Sequence, residues 1–112
     1  MGLDTTHDCW HGAYSAFGRW RQEIAGAAGY GELGAYYGYG GQRDWPEGDA
    51  LVELLDHSDC DGELPVSVLL PLAARLEEIK PALADDWAVD RAEQFIAGLR
   101  LAAERGEPVE FQ

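Results

Sequence analysis

The chain has 112 residues and a formal net charge of −13, from 21 acidic against 8 basic residues. This length fits one domain, and the acidic excess disfavours direct binding to duplex nucleic acid or to an anionic membrane surface. Hydrophobic residues make up 46% of the chain, which argues against intrinsic disorder. Because no basic region with an apolar stretch opens the sequence and no run approaches ~20 apolar residues, we expect a cytoplasmic protein without a membrane partner.

The first predicted element is a helix over about residues 6–28. Thr5 or Thr6 can cap it, and Gly29 follows its end, where glycine tolerates left-handed backbone. Its apolar residues recur at helical spacing, at Trp10, Ala13, Tyr14, Phe17, Trp20, Ile24 and Ala27.

Residues 29–48 form a segment rich in glycine and tyrosine, which we call the Gly/Tyr segment. We predict a loop or an irregular hairpin here. A stretch of this length without regular structure is uncommon in a compact domain unless it is functional or mobile. Pro46 then suits the first turn of a short helix over about 46–55.

A polar loop over 56–63 follows, with the sequence Asp-His-Ser-Asp-Cys-Asp-Gly-Glu. Helical periodicity then predicts helices over about 67–79 and 86–105, the second capped by Asp85 or Asp86. The extended tail after Gly106 can pair with the Gly/Tyr segment. The sequence therefore predicts a mainly α, small single-domain helical fold with an irregular Gly/Tyr-rich segment and at most a minor β element.

Two histidines near the N-terminus are four residues apart. On the predicted helix, His7 and His11 would share one face, a spacing that chelates zinc and related metals. The metalloprotease motif would need glutamate where Asp8 stands, so that interpretation is weak. The alternative is that one or both histidines are polar caps or packing groups near the helix start.

The polar loop partly matches a calcium-binding EF-hand loop. Asp59, Asp61 and Gly62 fit the spacing, but His57 and Val68 occupy the first and last ligand positions, so calcium is disfavoured. Carboxylates that only stabilise a turn are the alternative. If the two histidine-containing regions meet, they would bind zinc, manganese or iron through a shared ligand set. That set would be His7, His11, His57, Asp59 and Asp61.

An open position on such a metal would activate water for hydrolysis, with Asp56 or Glu63 as the general base. Cys9 and Cys60 each follow an aspartate, which raises a thiol pKa and disfavours a nucleophilic role. We expect both thiols to be small buried side chains, with metal ligation as the second-ranked alternative.

The Gly/Tyr segment could instead hold a nucleotide-like molecule, because aromatic faces stack on bases and arginine pairs with phosphate. An anionic ligand would have to use some of Arg19, Arg21 and Arg43, the basic residues of the first half. We predict a ligand-binding set of Arg19, Tyr36, Tyr37, Tyr39, Arg43 and Trp45. The alternative is that these rings fold back over the core.

Two motifs, residues 2–17 and residues 57–63, resemble a family of small uncharacterised proteins encoded mainly by tailed phages and prophages. The segments 95–99 and 108–111 fit the same family. The resemblance implies the cytoplasm of an infected bacterial host, but no assigned activity.

These observations support three functional hypotheses. The leading one is a phage-type accessory protein that binds a divalent metal ion or a nucleotide-like small ligand and acts in counter-defence by sequestration. The second is a metal-dependent hydrolase or phosphodiesterase that acts on a nucleotide signal. The third is an acidic mimic that blocks a nucleic-acid-binding host protein. Whether the protein is an enzyme, and whether it forms a homo-oligomer, stays open.

Overall fold

A computed structural model describes residues 2–112. These residues form four α-helices, and none of them is both long and apolar enough to cross a membrane. The helices are α1 (Tyr14–Ala27), α2 (Leu51–Leu55), α3 (Val66–Ile79) and α4 (Asp86–Arg105). Two antiparallel strand pairs complete the fold: β1 (Gly2–Asp4) with β2 (His11–Ala13), and β3 (Glu63–Leu64) with β4 (Val109–Glu110). The predicted small, mainly α fold is confirmed.

The first helix begins at Tyr14, so the prediction of helix from about residue 6 is wrong. Residues 6–13 instead form a single 3₁₀ turn and strand β2. Thr5 does cap an amide, but it is that of Trp10 within this turn, at 3.0 Å. His7 and Asp8 have φ angles of 62° and 57°, a left-handed conformation that an α-helix does not contain.

The core is built from the apolar faces of α1, α3 and α4. An aromatic cluster fills its centre, with Trp10 against Phe17 at 5.1 Å and Trp20 against Phe95 at 5.1 Å between ring centroids. The indole nitrogen of Trp20 donates to the carbonyl of Ala88 at 3.1 Å, so this ring joins α1 to α4. Trp10 reaches the cluster from the turn before β2 and not from α1. Its spacing in the sequence nevertheless continues the apolar stripe of α1.

Helices α3 and α4 match the predicted positions closely. The Asp85 side chain accepts from the amide of Trp87 at 2.9 Å, which is the expected N-terminal cap of α4. Gly106 ends α4 in a left-handed conformation with φ of 65°. Helix α2 is shorter than predicted and begins at Leu51, because Asp49 rather than Pro46 organises its start by accepting from the Leu51 amide.

The C-terminal tail does not pair with the Gly/Tyr segment, so that expectation is wrong. Its strand β4 pairs with β3, and Phe111 forms a bridge with Thr5 on the other side. Val109 and Phe111 are buried while Glu110 is exposed, so the alternating pattern of the tail places it over the core. The tail thereby lies between the N-terminal strands and the polar loop.

Candidate functional site

An open pocket of about 310 Å³ lies where α1, the Gly/Tyr segment and the polar loop meet. The polar loop and the Gly/Tyr segment were both predicted to contribute to a site, and both do line this pocket. Helix α1 contributes from its middle rather than from its start. The lining residues are Arg21, Gly38, Tyr39, Asp56, His57, Ser58 and Asp59.

Arg21 is the most buried charged residue of this pocket, with 5% of its surface exposed. Its Nη1 donates to the carbonyl of His57 at 2.6 Å, and lies 3.4 Å from the carbonyls of Leu54 and Leu55. The guanidinium also lies over the ring of Phe17, 4.6 Å from its centroid. Arg21 therefore holds the C-terminal end of α2 and the first residues of the polar loop against α1.

The opposite edge of the same guanidinium has no partner within residues 2–112. The Nε of Arg21 is buried without a hydrogen bond, Nη2 makes none, and no ion pair involves this side chain. Burial lowers the pKa of Arg21, while Tyr39, Asp59 and Asp56 act to raise it. Because an arginine keeps its proton even so, an unsatisfied charged edge costs about 1–3 kcal/mol unless something occupies it.

Two carboxylates, those of Asp56 and Asp59, line the pocket with Arg21. Neither forms an ion pair with a basic side chain in the described part of the chain. Gly38 forms the adjacent wall with φ of 93°, and a Cβ at this position would lie 3.1 Å from Oδ1 of Asp56. The pocket thus combines one buried positive charge with two acidic side chains.

Tyr39 forms another wall and is itself held by the loop. Its hydroxyl donates to the carbonyl of Leu55 at 2.6 Å. Burial raises the pKa of Tyr39, opposed by Arg21 and reinforced by Asp56 and Asp59. Tyr39 therefore stays a neutral hydrogen-bond donor, and its position depends on the same backbone that Arg21 binds.

Internal hydrogen bonds organise the polar loop. The hydroxyl of Ser58 accepts from the amides of Cys60 and Asp61, at 3.2 and 3.3 Å. The two ring nitrogens of His57 lie 2.8 Å from the carbonyl of Ser58 and 3.0 Å from that of Glu63. These contacts close the loop on itself, and Asp56 and Asp59 of this loop line the pocket.

The N-terminal histidines do not share a helix face, because residues 6–13 are not helical. His7 contacts the Thr6 hydroxyl and the Glu107 carboxylate, each at 2.9 Å. His11 bridges Asp8 and Asp4, also at 2.9 Å each, and these two hydrogen bonds raise the pKa of His11. These contacts fit the alternative interpretation, in which His7 and His11 serve local structure.

The three histidines are not assembled into one ligand set. His11 lies on β2, whereas Nε2 of His57 contacts the carbonyl of Glu63 on β3. Strand β1 and the C-terminal tail lie between these two strands. All the ring nitrogens already contact protein atoms. Within residues 2–112, no three His, Cys, Asp or Glu side chains are placed to hold a metal ion.

Most of the predicted aromatic ligand set packs on itself. Tyr36 is buried and stacks on Trp45 with 4.4 Å between ring centroids, and the guanidinium of Arg43 lies over the Tyr36 ring, 5.1 Å from its centroid. The indole nitrogen of Trp45 donates to the carbonyl of Tyr37, whose own ring is 53% exposed. Only Tyr39 of the predicted set lines the pocket.

The remaining predicted residues divide between the pocket and other surfaces. Arg19 forms an ion pair with Asp85 at 3.0 Å, away from the pocket. Of the two proposed general bases, Asp56 lines the pocket, whereas Glu63 lies on β3 opposite Glu110. Asp61 is exposed. Cys9 is buried in the core as expected, but Cys60 is exposed, so the expectation that it is a buried group is wrong, because the polar loop that carries it lies at the surface.

Arg21 is the residue that the predicted ligand set missed. Its signal was present in the sequence, since Phe17, Trp20, Arg21 and Ile24 follow the i, i+3, i+4, i+7 spacing of one helix face. A charged residue on the apolar face of a helix has to find polar partners inside the fold. Comparison of this chain with protein-family models, curated proteins and solved structures gives no match.

Proposed function

We propose that this protein binds a small polar ligand in the pocket beside Arg21. The observation that carries the proposal is the buried Arg21, whose Nε and Nη2 edge has no partner and which lines an open cavity. Buried charges in proteins are paired, because an unpaired one is costly to remove from water. A ligand that accepts a hydrogen bond from Nη2, the unpaired nitrogen of this edge that is not sealed from solvent, would supply a partner.

The pocket is also held in place before any ligand arrives. Arg21 and Tyr39 both bind backbone carbonyls at the end of α2, and Ser58 and His57 close the loop that follows. Its volume of about 310 Å³ is at the small end of the range for ligand sites. A pre-organised pocket of this size suits a compact molecule, since little ordering has to accompany binding.

The resemblance of residues 2–17 and 57–63 to proteins of tailed phages suggests where such a ligand-binding protein would act. As an accessory protein of a tailed phage, the chain would act by sequestering its ligand in the infected host. Hydrolysis of a nucleotide signal has weaker support, because only Asp56 of the two proposed bases lines the pocket. Charge mimicry is supported by the net charge of −13 alone.

A fragment screen by NMR tests the binding site without assuming the ligand. The ¹⁵N-labelled wild-type protein is titrated with a library of small polar compounds, and shifted amides are mapped. We expect hits to cluster at residues 38–39 and 56–59. Hits that cluster elsewhere, or a library that shifts none of these amides, would contradict the proposal.

Two matched variants extend the screen. Arg21→Lys keeps the charge but removes the planar fork, so it should weaken each pocket hit about tenfold or more. Arg19→Lys makes the same change two residues earlier on the exposed side of α1 and should leave binding unchanged. Equal affinities in wild type and Arg21→Lys would show that Arg21 is not the ligand-binding group.

A further inference from the structure

We infer that the ligand is a small zwitterion, with its carboxylate on Nη2 of Arg21 and its ammonium group beside Asp56 and Asp59. This inference rests on the proposed function and adds the ligand class. An α-amino acid, or a related molecule with both groups a few bonds apart, has this chemistry.

The free edge of Arg21 selects the first half of the ligand. Nε and Nη2 lie along one edge of the planar guanidinium; Nε is sealed from solvent, so Nη2 is the nitrogen that can donate to a ligand, and its positive charge favours a carboxylate oxygen. Nη1, on the other side, already donates to the carbonyl of His57. Because no carboxylate of residues 2–112 pairs with Nη2, this nitrogen is available to a ligand.

The two aspartates select the second half. Asp56 and Asp59 line the same pocket, and their carboxylates have no hydrogen-bonding side chain and no ion-pair partner within residues 2–112. An ammonium group has three donors and would find acceptors here. A ligand that carried only a negative charge would gain one contact at Arg21 and be repelled by two carboxylates.

Charge and size exclude larger anions. Nucleotides with several phosphates would approach a protein of net charge −13 and a pocket with two acids against one base. A purely cationic ligand would leave the edge of Arg21 unpaired. A zwitterion can pair with the positive charge of Arg21 and with the negative charges of the two aspartates at the same time. A cavity of about 310 Å³ accommodates a molecule of amino-acid size.

The test compares blocked and free forms of the same molecule. Wild-type protein is titrated by calorimetry and NMR with the protein α-amino acids, β-alanine and γ-aminobutyrate. The N-acetyl and amide derivatives of any binder follow, together with nucleoside monophosphates. We expect a free amino acid to bind at residues 38–39 and 56–59, and each blocked form to lose about tenfold or more in affinity.

The double variant Asp56→Asn, Asp59→Asn gives a readout that a merely structural role would not produce. Removing both carboxylates should weaken the free amino acid but strengthen its N-acetyl derivative, because repulsion of the lone carboxylate disappears. Asp61→Asn removes one negative charge from an exposed position of the same loop that does not line the pocket, and should change neither affinity.

The outcomes separate this inference from the proposed function. If N-acetyl derivatives or nucleotides bind the pocket as tightly as free amino acids, or if no zwitterion binds while other fragments do, the ligand class is wrong and the binding site stands. If neither zwitterions nor any fragment shifts the amides of residues 38–39 and 56–59, both proposals fail.

Discussion

The Nη1 of Arg21 donates a 2.6 Å hydrogen bond to the carbonyl oxygen of His57, which ties the middle of α1 to the polar loop. Nη1 of this guanidinium is therefore structural, while Nη2 is free to contact a ligand. The same side chain performs both roles. The effect of a substitution at Arg21 must therefore be compared with that of a substitution that alters only the structural contact or only the ligand contact.

Replacing Arg21 by methionine should lower the free energy of unfolding by about 2–4 kcal/mol, because the carbonyls at the end of α2 lose a charged donor inside the fold. Urea denaturation at neutral pH measures the change. Arg19→Met is the matched control; it removes an exposed ion pair with Asp85 and should cost at most about 1 kcal/mol. Equal losses in the two variants would show that the buried contacts carry little stability.

Replacing Gly98 by alanine should destabilise the fold by about 1–3 kcal/mol, because an added methyl group has no room. A Cβ at Gly98 would lie 2.5 Å from Sγ of Cys9 and 2.7 Å from the carbonyl oxygen of His7. Gly26→Ala, in α1, meets nothing within 4 Å and should stabilise the protein by about 0.4–1 kcal/mol. Thermal denaturation of the two variants tests whether their changes in stability have opposite signs.

The two thiols should react at very different rates. Burial raises the pKa of Cys9 to about 12, with Asp8 adding to the shift and the hydrogen bond to Thr5 opposing it, whereas Cys60 is exposed. Ellman's reagent should therefore modify one thiol quickly in the native protein and both in urea. The Cys60→Ser variant should lose the fast reaction; if it keeps it, Cys9 is accessible after all.

Asp49 should make stability depend on acidic pH. Burial alone would raise its pKa, but hydrogen bonds from Tyr30, the Leu51 amide and Arg75 lower it overall. A lowered folded-state pKa stabilises the protein above the ordinary aspartate pKa of about 3.9, and this contribution is lost as the pH falls through the folded value.

The Asp49→Asn variant measures this contribution. The difference in unfolding free energy between wild type and Asp49→Asn should be largest at neutral pH and shrink below about pH 4, because Asp49 is then protonated in the unfolded chain and, at still lower pH, in the native protein as well. Glu53→Gln, an exposed acid of α2, serves as the charge-matched control and should show no such trend. A difference that stays constant with pH would contradict the assigned role.

Local signals predicted α3 and α4 well. Each has an apolar face of helical period, and α4 has a capping aspartate and a terminal glycine at the positions that the sequence suggested. The same reasoning misplaced the start of α1, because Trp10 continues the apolar stripe by spacing although Thr5 and the left-handed His7 and Asp8 build a turn there. A periodic pattern records which residues are buried and not which element carries them.

The sequence by itself determined the mainly α fold, the polar loop as a distinct feature and the acidic character of the surface, since these follow from periodicity and composition. Only the tertiary structure decided which polar groups meet. The tail strand separates the N-terminal histidines from His57, and the packing of α1 against α2 brings Arg21 to the loop. Such contacts join residues far apart in the chain, and spacing along a sequence carries no information about distances of that kind.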